Sequence, residues 1–404
     1  NSHRIAVLGG GFGGLYTALK LAELKWEEGA KPEVTLVDVS DRFLFKPLMY
    51  ELITGEATLD QVAPLFRDLI GISGVRFVQH EVKSVTLSDT ANMLAGQVKL
   101  DDDSTIDYDY LVLGVGAEAN LELATGAREH ALAFNTLDDV RKLEQRLQDI
   151  EDAFADKRGD TVSVAVVGGG PSGVELAATV SDRLQKSLGR EAVRVTLYVA
   201  GADLMETFAP EARDVARETL ASKNIEVLYN HRVEEVGKAT VPSPSSSGSK
   251  TIACDMVLWT AGAKPIGVMG IPQEDGANVP ITIEKTLKIK GRDREFALGD
   301  VAGMGLPATA QVAMQQSDYC AWNIFASVNA AVGDDDTKLL NFRYQHLGSL
   351  MALGSLSGTA TLNLPGVGDL TLKGPLASAL RKMAYVYRMP TNAQRLKVGS
   401  EWLQ

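Results

Sequence analysis

The sequence predicts an α/β chain in which one unit, strand then glycine turn then helix, occurs twice. Three observations carry this. An apolar run over residues 5–8 leads into Gly9-Gly10-Gly11-Phe12-Gly13-Gly14, and helical spacing follows at Leu15, Ala18, Leu19, Leu21 and Ala22. The same order returns at residues 162–167, Gly168-Gly169-Gly170-Pro171-Ser172-Gly173 and the helical pattern of 174–184. Each unit is followed by another strand ending at a similar offset, at Asp38, 24 residues after Gly14, and at Val199, 26 residues after Gly173.

The glycine spacing is G-x-G-x-x-G in both units. The first glycine (Gly9, Gly168) permits a tight turn, and the second (Gly11, Gly170) lets backbone approach a phosphate. The third (Gly14, Gly173) lets helix and strand pack closely, with the helix N-terminus facing negative charge. One such match also reads as a plain tight turn. Two matches in the same context point to two dinucleotides. Asp38 can accept hydrogen bonds from ribose hydroxyls. Val199 cannot. A carboxylate there would hold the ribose of NAD and repel the 2'-phosphate of NADP, so the second site is expected to tolerate NADPH. Arg232 and Lys223 read either as helpers toward that phosphate or as surface charges.

The remaining elements follow in order. Arg42 and Lys46 sit in a loop and read as phosphate neighbours or as solvated charges. Residues 62–72 predict a short amphipathic helix. Residues 75–78 and 81–85 alternate as strands, and 98–100 with 104–106 suggest a hairpin around a solvated turn at 101–103. Residues 110–117 form a buried strand ending in small residues, and 138–157 a charged helix. Residues 242–249, rich in Ser and Pro, read as a mobile loop tip within a hairpin. Two more strands, 256–262 and 295–300, close on small residues and on Gly299-Asp300. Residues 334–336 read as a linker, and 340–373 as a small β unit. Over 376–389 apolar residues recur at helical spacing. From 375 to 404 there are five basic residues and one acid. Such a segment suits a lipid interface, or a helix packed on the protein with a solvated basic face.

Composition limits the alternatives. The 404 residues are 45% hydrophobic, enough for two or three domains. A net charge of -12 argues against a nucleic-acid partner. No run approaches the ~18 apolar residues of a spanning helix. The two cysteines, Cys254 and Cys320, form no C-x-x-C, which fits a reducing compartment. The start at Asn1 reads as a processed or trimmed end, with any targeting peptide out of view.

The paired fingerprints, Trp259-Thr260-Ala261-Gly262, Ala297-Leu298-Gly299-Asp300 and the run Ala310-Gln311-Val312-Ala313-Met314-Gln315-Gln316 resemble the type II NAD(P)H:quinone oxidoreductases, also called alternative NAD(P)H dehydrogenases. The insertions and the 381–389 tail are most similar to the plastid C1 branch of plants and algae. The resemblance implies a two-dinucleotide-binding flavoprotein fold with a small C-terminal α+β membrane-associating region. It implies an FAD-binding domain at 1–120 and 263–338, an NAD(P)H-binding domain at 121–262 and a quinone- and membrane-associated region at 339–404. FAD would lie against Gly9, Gly11, Phe12, Gly13, Gly14, Asp38, Lys46, Ala117, Gly262, Ala310, Gln311 and Val312, with Asp300 on its ribitol chain. NADPH or NADH would lie against Gly168, Gly170, Pro171, Gly173 and Val199. Glu175 would stand beside nicotinamide and flavin, although a carboxylate in a helix's first turn is also favoured by the dipole. Gln311 and Gln315, four apart and so on one helix face, would meet the quinone, or cap a buried polar patch.

The resemblance further implies a non-proton-pumping enzyme that takes a hydride from NAD(P)H and passes two electrons to a prenylquinone, plastoquinone or a phylloquinone precursor such as demethylphylloquinone. It would be peripheral to a lipid surface in a plastid, at thylakoid or plastoglobule, with mitochondria a second location, and a homodimer. The chain departs from NADH-preferring members at Val199, and its tail is expected to stop short of the family's full anchor. A disulfide reductase needs an adjacent redox cysteine pair, which is missing. A sulfide:quinone oxidoreductase would have to use Cys320. A flavin-bound redox sensor or scaffold similar to apoptosis-inducing factor is the non-enzymatic alternative.

Overall fold

β-Branched and leucine-rich runs that are buried on both faces make parallel strands, and they do so here in two sheets. In the first the order is Glu295–Ala297, Tyr110–Leu113, Arg4–Leu8, Glu33–Asp38 and Arg76–Gln79, all parallel. In the second it is Ile225–Leu228, Val193–Tyr198, Val162–Val167, Met256–Trp259 and Leu132–Ala133, again all parallel. The strand that ends in a glycine turn is the third in each order, so both turns open at the carboxyl edge of a sheet centre, where open α/β sheets bind ligands. These relations come from a computed structural model, which describes all residues except 1, 28, 90, 93, 155–159, 239, 243–250, 273–278, 332–337, 356, 365–367, 403 and 404.

The helix Phe12–Glu23 follows the first turn and packs along Ala310–Ala331. The helix Pro171–Leu188 follows the second, starting on proline, whose fixed φ suits a first helical residue. The antiparallel pair Ala117–Ala119 and Ala263–Pro265 joins the segments that run between the two sheets. The predicted hairpin forms and gains a third antiparallel strand, Val82–Thr86 beside Gly96–Leu100 and Thr105–Tyr108. The predicted β unit of 340–373 is the antiparallel sheet Ser349–Ala352, Gly358–Leu364 and Gly368–Lys373. The helix expected over 62–72 is instead two short pieces, Leu59–Val62 and Phe66–Ile70. Pro64, without an amide hydrogen, separates them. The hairpin arms Thr240–Pro242 and Thr251–Ala253 pair, while the Ser/Pro-rich tip expected at 242–249 and the linker at 334–336 fall almost wholly outside the described residues.

The tail is two helices, Pro375–Arg388 and Asn392–Trp402. Tyr385, Met389 and Val398 join the core of the first sheet. The second core takes in Met49, Tyr50 and Ile53 from the helix Met49–Thr54, and Met351 and Leu353 beyond the second sheet. The solvated basic face expected for the tail is mostly occupied. Arg381 is buried and paired with Glu51, Lys382 reaches Glu56 at 2.9 Å, and Arg395 lies over Tyr387. Among the described residues no helix is long and apolar enough to cross a membrane.

Candidate functional site

The two glycine turns are built alike. Gly9 has φ +92° and its N–H donates to Val37 O at 2.8 Å; Gly168 has φ +126° and donates to Tyr198 O at 3.0 Å. A Cβ on Gly14 would stand 1.8 Å from Gly9 O, and one on Gly173 would stand 1.9 Å from Gly168 O. These four positions are glycine for reasons internal to the protein. Gly11 and Gly170 are different. Each has an ordinary extended φ, each caps its helix without a side-chain hydrogen bond, and a Cβ at either would meet nothing within 4 Å. The space in front of the helix N-termini is left open, and that is what a bound diphosphate requires. The residues present therefore fit a dinucleotide at each turn.

Around the first turn, Asp38 accepts the N–H of Gly10 at 2.6 Å and of Ser40 at 2.8 Å, and burial raises its carboxyl above the usual range against those amides. Phe12 turns its ring into the core, edge-on to Phe43 and Phe45, so only its backbone borders the turn. Gly13 allows close contact with Leu298. Lys46, accessible but walled by protein, donates to Asn135 Oδ1 at 2.8 Å. Burial lowers its pKa, while Asp300 and Asp139 act against that. Burial conversely raises Asp300, with Lys46 opposing, so Lys46 and Asp300 face one electrostatic environment. Asn135 also donates to Ala117 O at 2.9 Å and thus ties Lys46 to the antiparallel pair that runs between the two sheets. Gly262 has φ +69°, and Leu123 crowds its missing Cβ. Ala310 opens the helix Ala310–Ala331, and Val312 is buried on it. Arg42 is taken up by Asp60 and Ala63 O, a structural role.

At the second turn Val199 occupies the counterpart of Asp38: a Cβ on Gly169 would lie 2.4 Å from Val199 Cγ1. An apolar group thus stands where the first turn has a carboxylate. Pro171 is the first residue of the helix, and Thr260, donating to Val167 O, closes the turn from the next strand. Lys223 is not a helper here, being held by Asp182 at 2.5 Å. Arg232 is exposed.

Glu175 lies buried one turn into that helix. Its Oε1 accepts the N–H of Ala352 at 2.7 Å. Burial pushes its carboxyl up to about 7, with the Ala352 amide, Arg381 and Tyr50 opposing. Tyr50 hydrogen-bonds toward Glu175 and Ser172. Gln311 and Gln315 share a helix face as their spacing implies, and both amides hold the segment 344–348. Gln311 Oε1 accepts from Tyr344 Oη at 2.7 Å and Leu347 N at 3.0 Å, and its Nε2 donates to Gly348 O at 3.2 Å. Gln315 is bonded both ways to the backbone of Gln345. Asn135, Tyr50 and Arg381 escaped the sequence reading. Each is a common polar residue in an ordinary helix or loop, with no local signal to mark it.

Both cysteines are free and buried. Cys320 faces Thr17 between the helices Phe12–Glu23 and Ala310–Ala331, and burial pushes its thiol far up. A redox disulfide has no pair to form from.

A family model for the pyridine nucleotide-disulphide oxidoreductases matches residues 3–317. The alternative NAD(P)H-ubiquinone oxidoreductase C1 of Arabidopsis thaliana, labelled chloroplastic/mitochondrial, is 39% identical over 99% of this chain and 80% of its own. The chain belongs to the type II NAD(P)H:quinone oxidoreductases. Members of this family are FAD-dependent enzymes that pass electrons from NAD(P)H to a quinone, and so is this chain. Demethylphylloquinone reductase NdbB of Synechocystis is 38% identical, covering 99% of this chain and 95% of its own. The fold is that of Plasmodium falciparum NDH2 solved with NADH, with a TM-score of 0.82 at 20% identity, over 100% of this chain and 98% of that one. Sulfide:quinone oxidoreductase from Aquifex aeolicus shares it at a TM-score of 0.77. The buried Cys320 and the full-length relatives favour the quinone oxidoreductase reading over that enzyme and over a sensor.

Proposed function

We propose that FAD lies on the first glycine turn and NADPH or NADH on the second, with a prenylquinone reduced on the side bordered by the helix Ala310–Ala331 and the tail. The observation that carries this reading is the shared build of the turns: outer glycines that nothing else can replace, and a middle glycine facing open space in both. The corresponding division is an FAD-binding domain over 1–120 and 263–338, an NAD(P)H-binding domain over 121–262 and a quinone-side region over 339–404.

When bound, FAD supplies the two-electron chemistry between nicotinamide and quinone. This chain's residues hold and orient. Asp38 receives the adenosine ribose, Lys46 and Asp300 border the flavin, and Val199 leaves a ribose 2'-phosphate unopposed. Glu175 holds or yields a proton beside the nicotinamide. Gln311 keeps one amide hydrogen for a quinone carbonyl while its other contacts fix the 344–348 segment.

A phylloquinone precursor or plastoquinone is the favoured acceptor, supported by the printed activity of the Synechocystis relative. The tail supports a peripheral lipid contact. Leu376, Met383, Tyr387 and Leu396 are each two-thirds or more exposed. Burying them in an interface would gain roughly 1.5–3 kcal/mol for each large side chain. The reading has the enzyme on a plastid thylakoid or plastoglobule surface, without proton pumping, as a homodimer.

Purified protein is expected to carry flavin whose absorbance NADPH bleaches anaerobically and a naphthoquinone analogue restores. kcat/KM for NADH and NADPH, each with plastoquinone and naphthoquinone analogues, ranks the substrates. Flavin-free protein, or bleaching that no quinone reverses, defeats the proposal. Serine at Leu376, Met383, Tyr387 and Leu396 together is expected to abolish pelleting with anionic vesicles while leaving turnover of a water-soluble quinone; undiminished pelleting removes the lipid contact.

A further inference from the structure

The helix Pro375–Arg388 has two unlike faces. Outward it carries Leu376, Met383 and Tyr387, and inward it drives Arg381, 1% exposed, into the protein. Arg381 Nη2 donates to Glu51 Oε1. The pair is poorly satisfied: Arg381 Nε and Nη1 and Glu51 Oε2 are buried without a partner, three of the four such atoms among the described residues. Such a pair is a weak source of stability, since desolvating two charges is offset only by good geometry and completed hydrogen bonds. Its position suggests another use. The charged and titratable groups around Glu175 are Tyr50 and Glu51 from Met49–Thr54, and Arg381 and Tyr385 from the tail helix, with the Ala352 amide from Ser349–Ala352. On its own helix Ser172 bonds to Tyr50, and Thr179 Oγ1 donates to the Glu175 carbonyl. Tyr50, Glu51, Thr179 and Ala352 border one small gap, and Arg381, paired with Glu51, is the cation of this set.

We propose that Arg381 is a positioning residue for the reaction: docking of the tail helix seats its guanidinium on Glu51, within the buried set that includes Glu175, so that Glu175 handles protons correctly only while the tail is seated. This rests on the reading that Glu175 lies at the reaction site. Arg381 favours the ionised form of Glu175, and Glu51 favours the neutral form. The tail thereby links the outer apolar face to the chemistry.

The test uses flavin-loaded holoenzyme and the pH profile of kcat. Glu175→Gln identifies the limb that Glu175 controls. In Arg381→Met that limb is expected to move to higher pH by about one unit or more, as for loss of a neighbouring opposite charge. In Glu51→Gln it moves to lower pH, and in Arg381→Lys it stays near the wild-type position. A purely structural role would lower kcat at every pH and could not give opposite signs. If Arg381→Met does not fold, Glu51→Gln still decides, because an unmoved limb overturns the proposal. If Glu175→Gln removes a limb that Arg381→Met and Glu51→Gln leave in place, only the role of Arg381 falls. If Glu175→Gln leaves the profile unchanged, the assignment of Glu175 to the site falls first.

Discussion

Two substitutions three residues apart, Gly170→Ala and Gly173→Ala, should separate binding from folding. At Gly170 the backbone is extended, with φ -75° and ψ 177°, which alanine adopts freely, and its Cβ would meet nothing within 4 Å. The cost to the fold is that of a poorer helix cap, about 1 kcal/mol or less. On the proposed placement of NAD(P)H, the new methyl takes up space that the pyrophosphate needs. Backbone hydrogen bonds to a charged group are worth roughly 1.5–3 kcal/mol each. Losing one of them raises KM for NAD(P)H by about 10- to 100-fold. At Gly173 the Cβ would lie 1.9 Å from Gly168 O and 2.8 Å from Thr260 Oγ1, so backbone must move. Overpacking of this kind costs roughly 1–3 kcal/mol or more and lowers Tm. Steady-state kinetics with saturating quinone, flavin content and thermal melts read both effects. Gly170→Ala should keep its flavin and Tm while losing nicotinamide affinity, and Gly173→Ala should lose Tm. Equal melting losses in the two variants, or an unchanged KM in Gly170→Ala, would refute the argument that open space marks the ligand.

Two further outcomes follow from the site. Glu175 titrates at about 7 in the folded protein, against 4.5 ordinarily. The native state therefore holds a proton that the unfolded chain releases, so stability should fall as pH rises from about 4.5 to about 7, then level off. The full effect is about 3 kcal/mol at most, and Glu175→Gln should flatten it in urea midpoints taken at pH 5 and pH 8; a slope that survives the substitution contradicts the cause given. Val199→Asp recreates at Gly169 the carboxylate that Asp38 presents at Gly10. It should lower kcat/KM for NADPH relative to NADH by about tenfold or more through repulsion of the 2'-phosphate, and an unchanged ratio would remove Val199 as the determinant.

The glycine turns were legible in the sequence because their constraint is local. A turn with φ above +90° at Gly9 and Gly168, and closure within six residues, leaves few side chains acceptable. The second strands and their last residues, Asp38 and Val199, were legible for the same reason: chain length alone returns them beside the turn. The break at Pro64 is also written in the sequence, because proline's missing amide hydrogen outweighs the apolar spacing of 62–72.

What only the tertiary structure decided depends on residues far apart in the chain. Arg381 and Glu51 are separated by 330 positions, and Lys46 and Asn135 by 89. No periodicity in 375–404 distinguishes the arginine that enters the core from those at the surface, since all sit in one basic amphipathic pattern. The two glutamines were visible as a pair on one helix face, but the segment 344–348 that occupies them was not. Local rules select turns, strands and helices because they act within a few residues. Which buried charges meet is settled by the packing of three separate segments, where desolvation makes a misplaced partner costly.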